Sequence, residues 1–67
     1  MKVVNVSGGQ ASLACSVDEL HILHQALNEV CNGIEVFEFE TRIGADRTTV
    51  AALMEGIGAA IERAKTS

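Results

Sequence analysis

His21, His24, Asn28 and Cys31 follow an i, i+3, i+7, i+10 spacing, which crowds them onto one edge of a helix. Imidazole and thiolate are zinc ligands. A zinc site wants a full set of good donors, and this edge holds an amide and no carboxylate. No second Cys/His cluster appears elsewhere in the chain to complete it. Nucleophilic catalysis would pair a thiol with a histidine oriented by a third group. Cys31 lies two helical turns from His24, about 10 Å along the axis, which is too far for a hydrogen bond. Cys15 and Cys31 both fall at core-facing positions, where a thiol behaves as a small hydrophobe. Cys15 would need a histidine delivered by folding. Gly8-Gly9 lacks the Lys-Ser/Thr of a phosphate-binding P-loop, and a strand follows it instead of a helix. No catalytic residue, no metal and no cofactor is expected.

The elements that position these residues are legible in turn. Lys2 to Val6 is rich in valine, and Ala11 to Ser16 alternates Ala11, Leu13 and Cys15 with Ser12, Ala14 and Ser16. Between them, Ser7-Gly8-Gly9-Gln10 supplies the positive φ angles of a tight turn, so the two runs read as a β-hairpin. Pairing across the glycines is expected to set Val6 opposite Ala11 and Val4 opposite Leu13.

Ser16-Val17-Asp18-Glu19 has the form of a capping box, with Ser16 at the N-cap and Glu19 reaching back to it. The helix it opens is predicted to run from Val17 to about Asn32, stopped by Gly33 in the left-handed conformation. Leu20, Leu23, Leu27, Val30 and Cys31 gather on one face with Ala26 at its edge, opposite Asp18, Gln25 and Glu29. Ile22 alone falls among the polar residues.

Ile34 to Ile43 admits two readings. As a strand, Phe37, Phe39, Thr41 and Ile43 share one side and Glu38, Glu40 and Arg42 the other. The same residues can instead form a short helix leading into Gly44. The strand or extended segment is the reading taken here. Asp46 is the expected N-cap of a second helix reaching about Ala64, with Val50, Leu53, Met54, Ile57, Ala60 and Ile61 as its apolar stripe. Gly56 and Gly58 interrupt it, at roughly 1 kcal/mol each against Ala. Ala52, Gly56 and Ala60 form a small-residue line along which a second backbone can approach.

Composition sets limits on function. Sixty-seven residues make one marginal domain, which normally recruits help from a staple or a second subunit. The apolar fraction is 48%, more than one small core can hide, which is a reason to expect a partner. Nine acidic residues against five basic ones give a net charge of −4. That balance opposes a nucleic-acid footprint and favours a basic protein partner. No apolar run approaches a membrane span or a secretory signal, and two sparse thiols fit a reducing interior. Cytoplasmic localisation is the expectation.

Two resemblances add to this. Ile43, Gly44, Ala45, Val50 and Leu53 resemble the turn and second helix of a helix-turn-helix, in which Arg47, Thr48 and Thr49 would open the recognition helix. Glu40 stands where that motif wants a small residue, and a strand-prone segment stands where it wants a first helix. Ala26-Leu27-Asn28-Glu29-Val30, Glu38-Phe39 and Thr41-Arg42-Ile43-Gly44 resemble a group of small uncharacterised bacterial proteins over roughly Val17 to Ile57. That resemblance implies a bacterial origin and no particular activity.

The expected fold is α+β: an N-terminal hairpin, a helix, an extended segment or third strand, and a long C-terminal helix. The expected function is a non-enzymatic protein-binding or regulatory module, including the acidic partner of a basic protein such as a toxin. A helix-turn-helix-like DNA-binding regulator is the alternative, favoured if Val36 to Ile43 is helical. Glu38, Glu40, Arg42, Asp46 and Arg47 are the expected partner-binding edge. Ala52, Gly56 and Ala60 are the expected homodimer contact.

Overall fold

The computed structural model describes residues 1–66, in the order β1 (Lys2–Ser7), β2 (Gln10–Ala14), α1 (Val17–Asn28), α2 (Phe39–Ile43) and α3 (Arg47–Lys65). The class is α+β. The two strands form an antiparallel sheet of their own, turned by Gly8 at φ 58° and Gly9 at φ 78°. Two successive positive φ angles match the right-handed twist of a two-residue hairpin.

Val6 faces Ala11 as the pattern demands, but Leu13 pairs with Val3 and not with Val4. A bulge between Val3 and Asn5 inserts the extra residue. Its effect is physical: side chains alternate faces along a strand, so Val3 and Val6 would normally lie on opposite sides. The inserted residue brings them to one face, with their partners Leu13 and Ala11.

Ser16 caps α1 as a capping box: its hydroxyl accepts the Glu19 N–H at 3.1 Å, and the Glu19 carboxylate accepts the Ser16 N–H at 2.9 Å. Glu19 also accepts a bond from the Met1 ammonium. These contacts, the ammonium first and the Ser16 backbone next, hold its carboxyl below the usual range. Gly33 does not adopt the left-handed conformation. The helix instead widens into a π-turn over Glu29–Gly33, where the Ile34 N–H donates to the Glu29 carbonyl at 2.9 Å before the chain runs on extended. The carboxylate end of the exposed Glu29 side chain folds over Gly33.

Among the described residues the sheet gains no third strand. Phe39 to Ile43 is a short helix instead, closed by Gly44 at φ 89°, whose N–H donates to the Glu40 carbonyl at 2.8 Å. With β1 and β2 paired only to each other, an extended Ile34–Ile43 would leave its backbone groups without a ladder, and a helical turn satisfies them locally. Glu38 starts this helix in the left-handed region at φ 52°, a conformation that costs an L-residue about 1–2 kcal/mol.

α1 and α3 pack against one another, and the buried core is Phe39, Val50 and Ile61. Leu53 and Ala60 were expected in that stripe but are exposed. One partner helix covers only a limited arc of α3, centred on Val50 and Ile61 with Met54 and Ile57 half-buried beside them. The hairpin stands apart from this packing, and every residue of both strands is exposed. The radius of gyration is accordingly 13.3 Å, against about 11 Å for a compact chain of this length. The accessible surface is 5112 Å², about 1,000 Å² more than a folded monomer of this mass normally shows.

Candidate functional site

The connection from α2 to α3 builds a candidate site. Gly44 ends α2, Ala45 crosses, and Asp46 caps α3 by accepting the Thr49 N–H at 2.8 Å. That bond holds the Asp46 carboxyl below the usual aspartate range. The resulting angle leaves a shallow, open cleft of about 530 Å³ lined by Glu38, Phe39, Glu40, Thr41, Asp46, Arg47 and Thr48. Three carboxylates therefore line one depression, and a single cation shares it.

That cation is committed elsewhere. The Arg47 guanidinium donates to the Cys31 carbonyl at 2.8 Å, and its centre lies 4.5 Å over the Phe39 ring. It ties the start of α3 to the widened end of α1, and it satisfies a carbonyl that the π-turn would otherwise present to solvent. Arg47 is thereby a staple of the fold. Glu38, Glu40, Arg42 and Asp46 are exposed on the same stretch.

Of the five residues expected on the polar edge, four line the cleft and Arg42 lies on α2 beside it in sequence. Phe39, Thr41 and Thr48 are lining residues that the strand reading missed. The i, i+4 pair Phe39 and Ile43 directly before a glycine was the helical signal for Phe39 and Thr41, while Thr48 lies on α3 behind the Asp46 cap. Phe37, placed beside Phe39 by the strand reading, is 73% exposed while Phe39 is buried.

The histidine edge of α1 does not become a site. Asn28 accepts a bond from the Asn32 amide at 3.1 Å, and among the described residues no three His, Cys, Asp or Glu side chains converge as metal ligands would. His24 instead packs toward α3. Its Nε2 lies 3.5 Å from where a Cβ on Gly58 would stand. The close approach of helices within the chain thus occurs at Gly58, while Ala52, Gly56 and Ala60 face outward and Gly56 has open space around it. Cys15 and Cys31 are free thiols, both half-buried.

No helix among the described residues is long and apolar enough to cross a membrane. No family model, curated protein or solved structure matches this chain.

The cleft lining carries three carboxylates and one guanidinium. It contains neither histidine nor thiol, and Arg47 is the basic side chain that lines it beside the threonines.

Proposed function

We propose that this chain is a small non-enzymatic protein-binding module whose cleft between α2 and α3 receives a basic segment of its partner. The observation that carries the reading is the lining of that cleft: Glu38, Glu40 and Asp46 line it, and the one cation among them is already bonded to the Cys31 carbonyl. A net charge of −4 adds a long-range field of the same sign, which speeds encounter with a basic surface.

A DNA-binding reading draws support from one observation, the helical conformation of Phe39–Ile43 ahead of the Gly44 turn. Three features weigh against it. The first helix has only 5 residues, Arg47 at the head of α3 is engaged within the fold, and carboxylates occupy the groove where phosphates would approach.

Capture of bound proteins from a bacterial lysate, followed by rate measurements on the recovered partner, tests the choice. With a basic partner, Glu38→Lys with Glu40→Lys slows association and flattens its salt dependence, while Arg42→Ala leaves it intact. A DNA binder would show the reverse on a random duplex: stronger binding with the lysines and weaker binding with Arg42→Ala. A recovered protein partner indifferent to all three changes would refute the cleft as its seat.

A further inference from the structure

The hairpin is an amphipathic element whose apolar side is left exposed by the described residues. Its register places Val3, Val6, Ala11 and Leu13 on one face, and Lys2, Asn5, Ser7, Gln10, Ser12 and Ala14 on the other, with the bulged Val4 paired to neither. The bulge is what makes this separation clean. Such a clean division normally accompanies a sheet with one face on a core and one in water. Here the apolar face is bare: Val3 is 59% exposed, Val6 67% and Leu13 49%. An isolated two-stranded hairpin is only marginally stable in water, so a covering layer is needed from outside the chain.

We propose that this face is covered by the same face of a second copy, so that two hairpins pack sheet on sheet about a twofold axis. Area is the first argument. The chain exposes about 1,000 Å² more than a compact monomer of its mass, and the bare Val3, Val6 and Leu13 are part of that uncovered surface. Charge is the second. A chain of net charge −4 repels its own copy, yet all nine acidic residues lie at Asp18 or beyond. The strands carry one charged residue, Lys2, on the polar face. The hairpin is the extended surface on which two copies meet without opposing carboxylates. Self-complementarity is the third. Residues that pair within one hairpin, Val3 with Leu13 and Val6 with Ala11, present apolar groups of similar size to an identical set across a twofold axis.

Light scattering between 1 and 100 µM, roughly the range for an interface of this size, is expected to give twice the 7.1 kDa chain mass. Val6→Lys places an ammonium in the centre of the contact and is expected to weaken the dimer by at least about tenfold. Asn5→Lys, on the polar face, is expected to change it by less than about twofold. Gly56→Leu, on the outward line of α3, is expected to leave the mass unchanged. If Val6→Lys loses the hairpin altogether, a mixture of isotope-labelled and unlabelled wild-type chains decides the matter, through intermolecular contacts to the methyls of Val3, Val6 and Leu13. A monomer throughout the range overturns the proposal. So does a dimer whose intermolecular contacts fall on Leu53, Ala52 and Ala60, or one that Val6→Lys leaves intact.

Discussion

Gly56→Ala and Gly58→Ala form a matched pair whose outcomes the packing of α3 dictates. Both glycines lie inside a helix of 19 residues, and each costs roughly 1 kcal/mol relative to alanine in a helix interior. At Gly56 an added Cβ meets nothing within 4 Å, so the full propensity gain is expected. At Gly58 the added methyl would lie 3.5 Å from the His24 Nε2 and 3.7 Å from its Cδ2. Those are ordinary van der Waals separations, so the gain survives and the α1–α3 contact gains a little surface. Each variant is expected to be more stable by about 1 kcal/mol, or about 4–8 °C in melting temperature for a domain of this size. Urea unfolding followed by far-ultraviolet circular dichroism measures it, with the dependence on denaturant unchanged because the exposed area hardly changes. A loss of stability in Gly58→Ala would mean that the helices lie closer than described. A loss in Gly56→Ala would refute the open surroundings of that residue, and would place a second backbone on the Ala52, Gly56 and Ala60 line.

Three further outcomes are expected. Ser16→Ala leaves the Glu19 N–H without its acceptor and lowers stability by about 1 kcal/mol; an unchanged denaturation midpoint would mean that α1 starts elsewhere. Arg47→Met keeps much of the contact with Phe39 but removes the bond to the Cys31 carbonyl. It is expected to cost about 1–2 kcal/mol and to speed amide exchange at the Glu29–Gly33 turn, which a merely exposed arginine would not do. Acid weakens the helix caps. Asp46 and Glu19 both have folded-state carboxyl pKa values below their ordinary ones. Their contribution is therefore complete above the unfolded value of about 4 and is lost as pH falls through it toward the folded value. Asp46→Asn, which keeps an N-cap acceptor without the titration, is expected to flatten the loss of stability as pH falls below about 4. An acid dependence unaltered by Asp46→Asn would show that other carboxylates govern it.

Signals complete within a few residues were readable in the chain itself. Ser16 with Glu19, Asp46 ahead of Thr49, and Gly8-Gly9 between two valine- and alanine-bearing runs each satisfy or bend their own backbone. Their structural meaning does not depend on what lies further away. The α+β class and both long helices follow from such signals. The strand-like period of Phe37, Phe39, Thr41 and Ile43 was of a different kind, because a strand exists only where another strand accepts its hydrogen bonds. The hairpin extends no edge to this segment, so the Gly44 cap and the Phe39–Ile43 spacing prevailed. The polar edge was legible as a set of charges close in sequence. That Arg47 folds back onto the end of α1 was not, since its acceptor is a carbonyl 16 residues away, presented to it by the widening of α1. Tertiary structure likewise decided which glycine of α3 meets α1. Gly56 and Gly58 differ by two residues, about 200° around a helix, and only the docking of α1 determines which of those sides is inside. The bulge at Val4 is the last such case. A chain with period-two alternation cannot put both Val3 and Val6 on the Leu13 face, and the pairing of the two strands resolved the conflict by leaving one residue out of register.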